Sequence, residues 1–419
     1  MRVLVTGATG PFGRAVSRRL IAEGHDVVAM ARRAPASPLD GASFCAGDIQ
    51  DQAAVRAAMT GCDAVVHLAW VVAPLKSESQ TAAINLGGTQ NVLDAMAATG
   101  CARLVFSSSV LAYGAVPGHP AKLKESDERR PEPEHYYAAH KKAAEDMITA
   151  RAPNSVLVRA GIIAGRDVDN TIFRGFSGPV LPVPDPERKQ QFVHTDDVAR
   201  FTVAAIAGEL TGPVNITGAG TLTMREIAGI VGRPLVKVPE RALRGAIAAA
   251  WKAGVSELQP AEIGALLYMP IVDTTRLREE WGFTCVWTSR DALTDMARAA
   301  HGRVSLGKKT RRLPWRVPLG ADPAVRGMAA ILLRRRYADE VEWVVRNLAD
   351  LRSYALSGGD REAVTAHQRL VHDLAEHAAL LATIGEQHGY PRQTVARARG
   401  AVAAARDSHE EDHADPRAH

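Results

Sequence analysis

The chain has 419 residues, 46% hydrophobic and 23% charged, with a formal net charge of +5. This composition excludes a disordered polymer, and the length calls for one large domain with an appended segment, or for two domains. The positive excess sits largely in one late stretch, which argues against a nucleic-acid partner.

Met1 leads straight into the strand pattern Val3-Leu4-Val5, so no secretory signal is expected. No apolar run reaches the roughly 18 residues of a transmembrane span. Cys45, Cys62, Cys101 and Cys285 show no C-x-x-C spacing, so neither zinc nor a disulfide framework is expected, and a reducing, cytoplasmic setting fits.

From residue 1 to about 165, β-branched runs at 3–5, 27–30, 64–68, 104–107 and 156–158 alternate with amphipathic stretches such as 14–23 and 88–98. That alternation predicts an α/β fold, a doubly wound parallel sheet. Residues 166–300 are irregular and Pro-rich at first, with a strand pattern at 214–216 and a helical one at 224–231. This smaller mixed portion is expected to cover the strands' C-terminal ends, where open α/β sheets bind ligands. A boundary falls at 302. Residues 303–338 read as a basic linker, 339–406 as a helical extension, and 407–419 as a disordered acidic tail. Helices are expected over 339–356, 361–387 and 394–406, the second with Val364, Leu370, Val371, Leu374, Ala378 and Leu381 on one stripe. His409, His413 and His419 lie in that tail without fixed geometry, so no metal site is expected.

The first strand runs into Thr6-Gly7-Ala8-Thr9-Gly10-Pro11-Phe12-Gly13, a G-x-x-G-x-x-G turn placed between a strand and a helix. Glycines there let a pyrophosphate approach the backbone, and the helix N-terminus offers N–H groups to it. Gly7, Thr9, Gly10, Phe12 and Gly13 are therefore candidate dinucleotide contacts. The second strand ends in Ala31-Arg32-Arg33 and not in a carboxylate. Guanidinium groups at that place suit a 2′-phosphate, so NADP is favoured over NAD.

Ser107-Ser108-Ser109 ends a strand on the cofactor side, and Tyr137 and Lys141 stand four apart on the following helical stretch. A phenol exchanges a proton near neutrality only with a fixed cation beside it, which Lys141 would supply. Ser109 would hold the substrate oxygen while Tyr137 moves the proton. Tyr136, the rival phenol, has His140 at the corresponding place, which supplies no permanent charge.

Together these residues resemble the extended short-chain dehydrogenase/reductase family, the epimerase/dehydratase type that includes UDP-galactose 4-epimerase, over about residues 1–300. The resemblance implies a Rossmann fold and extends to several further motifs. Gly47-Asp48-Ile49 implies adenine contacts from Asp48 and Ile49. His67-Leu68-Ala69 implies cofactor contacts from Leu68 and Ala69, and Asn85-Leu86-Gly87-Gly88-Thr89 implies an active-site Asn85. Ser107, Tyr137, Lys141, Gly161 and Ile162 are implied to touch the cofactor as well.

Trp70 stands where the family usually has a small residue, and it implies either a narrowed or stacking pocket or ordinary packing. Val110 and Leu111 replace the Asp-Glu pair of the family's sugar dehydratases, which argues against dehydration. The expected activity is NAD(P)-dependent hydride transfer between nicotinamide and a carbonyl or alcohol of a small molecule. The alternatives are a nucleotide-sugar 4-epimerase and, from another class, a redox sensor or scaffold. A homodimer is implied by analogy; residues 308–336 are read first as a solvated linker, with a patch for acidic lipid (peripheral membrane contact) or another subunit as the alternative.

Overall fold

The structure is a computed structural model that describes all residues except 36, 73–76, 169–179, 255, 257, 301–302, 307–308, 313–322, 354–360 and 415–419. Its centre is a seven-stranded sheet built from β1 (Arg2–Thr6), β2 (Asp26–Ala31), β3 (Ala42–Ala46), β4 (Ala64–His67), β5 (Arg103–Ser109), β6 (Val156–Ala160) and the strand Gly212–Ile216. The spatial order is Gly212–Ile216, β6, β5, β4, β1, β2, β3, and every pairing in it is parallel.

Because successive side chains leave a strand on opposite faces, a doubly covered sheet needs nearly continuous apolar strands. Val3 and Val5 of β1 pack on one face with Val16 and Leu20 of α1 (Pro11–Ala22) and Phe201 of the helix Thr195–Ala207. Leu4 packs on the other face with Val55 of α2 (Gln52–Met59), Val92 of α4 (Gly88–Thr99) and Ile148 of α5 (Tyr136–Arg151). A short α3 (Glu78–Ala82) and a π turn at Ala83–Gly87 lead into α4. The chain reverses direction across the sheet at β1 and β4, and that switch point opens the ligand crevice.

The mixed portion consists of two-stranded pieces. Ile162–Ala164 pairs with Phe192–His194, Leu181–Val183 with Leu235–Lys237, and Lys189–Gln190 with Leu222–Thr223. The helix Met224–Val231 starts with a capping box between Thr223 and Glu226. Residues 169–179 of this portion lie outside the described residues.

The segment read as a basic linker instead holds a hairpin, Arg303–Leu306 with Lys309–Arg312, and then a helix, Pro323–Ser353, that starts well before 339. Proline at the first helical position, followed by Ala, Leu and Arg, favours that earlier start. The arginine run 334–336 thus lies on a helix and not in a solvated strap, and Arg336 pairs with Glu340 one turn on at 3.7 Å. The helix Arg361–Gln387 follows, and Arg392–Ala414 extends into the stretch read as a disordered tail, continuing its Ala- and Glu-containing sequence.

Leu370, Leu374, Ala378 and Leu381 are buried on one stripe, but Val364 is exposed and Ala366, four residues before Leu370, takes its place. These helices share a core with the mixed portion: Tyr337, Trp343, Val344 and Leu370 cluster with Ile227, Ile230, Leu293 and Met296. The Trp343 indole N–H donates to the Ile230 carbonyl. Asp373 pairs with Arg298 and, at 2.9 Å, with Arg166.

Candidate active site

The glycine turn closes against the end of β4. Gly7 has φ +71°, and a Cβ there would lie 2.8 Å from the Ala69 nitrogen; a Cβ on Gly13 would lie 2.2 Å from the Gly7 oxygen. The α1 helix begins at Gly10-Pro11 with no side-chain cap, which leaves its first-turn N–H groups for a ligand. Thr9 and Pro11 open onto a cavity of about 620 Å³ also lined by Arg14, Arg18, Arg166 and Thr195. Phe12 packs half-buried on the α1 side of the sheet. A tight backbone cradle with an uncapped helix start fits a dinucleotide pyrophosphate.

Arg32 and Arg33 are exposed just past β2. Asp48 and Ile49 follow β3: the Asp48 carboxylate accepts from the Gln50 amide at 3.0 Å, while Ile49 is buried against Gly88. Leu68 and Ala69 are fixed by their amides, which both donate to Thr6 Oγ1 at 3.2 Å. That hydroxyl therefore donates to His67 Nδ1 at 2.8 Å, and His67 Nε2 donates to Thr89 Oγ1 at 3.2 Å. Thr89 in turn donates to the Asn85 carbonyl at 2.6 Å. The chain of donors makes His67 neutral, in keeping with burial and the Lys141 charge pushing it down to about 3.

Asn85 is fully buried: its Oδ1 accepts from the Val71 amide at 2.8 Å and its Nδ2 donates to the Val71 carbonyl at 3.2 Å. Both polar ends of this side chain clamp the loop after β4. Gly161 lies against Thr217, and Ile162 is buried in the mixed portion's core.

Ser109, Tyr137 and Lys141 meet at the end of β5. The Ser109 side chain stands close enough to the Tyr137 hydroxyl to pull the phenol down, and its oxygen accepts from the Leu111 amide at 3.1 Å. Burial raises the phenol to about 12, against the opposing pull of Ser109. Lys141 Nζ donates to the Ser107 carbonyl at 2.5 Å and lies 5.6 Å from the Tyr137 ring centroid. Burial lowers Lys141 well below the ordinary lysine range, opposed by Glu145. The ammonium expected to lower the phenol is thus itself short of solvation, and Tyr137 remains protonated at neutral pH. Tyr136 faces elsewhere, stacked on His140, which bonds Glu78 of α3 at 3.1 Å.

Beneath this group lies a buried charge network that motif reading missed. Glu145, one turn past Lys141, accepts from Ser108 Oγ, from Arg159 at 2.7–3.2 Å and from Arg129 at 3.0 Å. Arg159 also donates to the Tyr113 hydroxyl at 2.8 Å, which donates to Asn215 at 2.9 Å. The available signals were an arginine inside an apolar strand and a glutamate four residues after the lysine. Among the described residues no His, Cys, Asp and Glu cluster could hold a metal ion, and no helix is long and apolar enough to cross a membrane.

Known proteins share this fold and parts of this sequence. An uncharacterized protein of Mycobacterium tuberculosis is 39% identical over 319 residues, 76% of this chain and 32% of that protein, so the chain spans about a third of the length of such relatives. The 3-diazoavenalumate denitrifying reductase of a Streptomyces species is 29% identical over 343 residues, 77% of this chain and all of that protein. UDP-glucose 4-epimerase from Brucella ovis in complex with NAD shares the fold with a TM-score of 0.58 and 23% identity, over 74% of this chain and 99% of that one. MoeE5 in complex with UDP-glucuronic acid and NAD aligns with a TM-score of 0.58 and 22% identity, over 72% and 99%. The pattern of the NAD dependent epimerase/dehydratase family matches residues 3–216, the span that carries the glycine cradle and the Ser109, Tyr137 and Lys141 cluster, and the chain belongs to that family.

Proposed function

We propose that the chain is an NAD(P)-dependent oxidoreductase that reduces a carbonyl, or oxidises the matching alcohol, on a small molecule, with NADP preferred. The observation that carries this reading is the convergence of Ser109, Tyr137 and Lys141 at the end of β5, with Ser109 acting on the Tyr137 phenol and Lys141 Nζ 5.6 Å from its ring centroid. Gly7, Gly10 and Gly13 would hold the pyrophosphate of a nicotinamide dinucleotide, which would supply the hydride in reduction and accept it in oxidation. In the reducing direction Ser109 donates to the substrate oxygen and holds it against the Tyr137 hydroxyl. Tyr137, protonated at neutral pH, gives its proton to that oxygen as the carbonyl carbon gains hydride, and the phenolate left behind is balanced by Lys141. Arg32 and Arg33, exposed where NAD-specific sites place a carboxylate, support the 2′-phosphate preference.

The likeness to a reductase along most of the chain supports this reading. A match of 35% over 164 residues to the UDP-glucose 4-epimerase of Streptomyces lividans favours, as second reading, epimerisation of a nucleotide sugar with the same tyrosine.

The test is turnover of the full chain with NADPH or NADH against a panel of aldehydes, ketones and UDP-sugars, with Tyr137→Phe alongside. Tyr137→Phe is expected to lower kcat by about 10²–10⁴-fold with cofactor affinity retained. Interconversion of UDP-sugars without net cofactor consumption would select the epimerase, and cofactor binding with no turnover of any substrate would select the sensor.

A further inference from the structure

We infer that Trp70 is a positioning residue for Lys141: the face of its indole holds the buried ammonium in place and helps to keep it charged. This rests on the role given above to Lys141.

Lys141 is 3% exposed, and its Nζ makes one hydrogen bond, to the Ser107 carbonyl, although an ammonium carries three donors. Three aromatic rings lie around it. Nζ lies 3.6 Å from the Trp70 ring centroid, 4.7 Å from that of Phe106 and 5.6 Å from that of Tyr137. The nearest of the three belongs to tryptophan, whose quadrupole attracts a cation most strongly.

Among the titratable groups around Nζ, Glu145 opposes the effect of burial, and the rings add to it. Glu145, on the same helix, is already bonded to Ser108, Arg129 and Arg159 and is fully buried. Tyr137, also on α5, stays protonated, and His67 on β4 is held neutral.

Trp70 is held for this task by its surroundings. It packs edge-on against Phe106, with centroids 5.6 Å apart and planes at 63°. The next residue, Val71, is clamped through both backbone groups by Asn85. Its indole Nε1 is buried with no hydrogen-bond partner. A tryptophan kept for its N–H would have that group paired, so here the ring face carries the function. The clamp gives Asn85 a part in the site as well, at one remove from the lysine.

The test reads the charge of Lys141 directly, by NMR titration of the full chain carrying 15Nζ-labelled lysine, with Lys141→Met to assign its signal. Three proteins are compared with wild type: Trp70→Leu, Trp70→Phe, and the unchanged sequence grown with 5-fluorotryptophan, which withdraws charge from the ring face while keeping its shape. The Lys141 midpoint is expected to fall by about one pH unit or more in Trp70→Leu and by a fraction of a unit in the other two. Where Trp70→Leu fails to fold, the fluorinated protein and Trp70→Phe decide. A midpoint equal to wild type in the folded variants overturns the inference, since a merely space-filling ring would leave the titration in place. The measurement needs no turnover, so a catalytic reading that failed with Tyr137→Phe would be told apart from failure here.

Discussion

Replacing Glu145 by Gln keeps the side chain's volume and removes its charge, which makes it a direct probe of the network beneath the site. Glu145 is fully buried and Arg159 is 3% exposed, so the guanidinium would be left in the interior without its counter-charge. One of the two oxygens that now accept from Arg159 at 2.7–3.2 Å would become an amide donor facing a donor. Breaking a buried pair from one side costs about 3–5 kcal/mol. At about 2 °C per kcal/mol for a chain at the large end of the scale, the melting midpoint should fall by roughly 6–10 °C. Replacing both partners by Met should recover most of the loss, because the buried guanidinium is gone and Arg129 keeps Asp146 at 2.6 Å. Calorimetric melts of the wild type, Glu145→Gln, Glu145→Met, Arg159→Met and the double Met variant at neutral pH provide the check. A Glu145→Gln midpoint within about 2 °C of wild type, or a double variant no better than the single, would refute the claim that this pair is energetically coupled.

Two further outcomes follow from the same structure. Trp343→Ala removes a buried indole from the seam between the helix Pro323–Ser353 and the mixed portion, and it should cost about 3–5 kcal/mol. Faster proteolytic release of residues 323–414 should accompany that loss, and unchanged protease resistance would show the helices to be held by other contacts. His194 is buried, which pushes it down, yet its bonds to Asp196 and Asp295 raise it to about 9. Its folded value exceeds the unfolded 6.5, so the stabilisation it contributes is complete below pH 6.5 and is lost as pH rises through 9. Denaturant unfolding across that window should show the decline in wild type and a flatter profile in His194→Gln; equal slopes would count against the assignment.

The features legible in the sequence were those written in short stretches of chain. The alternation of β-branched runs and amphipathic helices determined the parallel sheet, because a strand covered on both faces must be apolar throughout and its neighbour helix must carry one apolar stripe. The glycine spacing marked the cradle, since only a residue without Cβ fits where Gly7 meets Ala69 and Gly13 meets Gly7. Tyr137 and Lys141 were visible as a pair because four residues make one helical turn. The β3 strand was missed: Ala42–Ala46 lies at the sheet edge with Phe44 exposed and shows no buried run.

Only the tertiary structure decided which polar groups lose their water. Arg159 and Glu145 lie on separate elements, Asn85 reaches Val71 from across a loop, and Trp70 receives the ammonium of a residue 71 positions away. The basic stretch after 302 read as solvated because a charge run looks the same in sequence whether or not an apolar face lies behind it; Tyr337 and Trp343 show that face, packed against Leu381 and Ile230. Burial is a sum over segments that the chain brings together from far apart, so solvation, and with it the charge state of Lys141, is set by the fold and not by any local pattern.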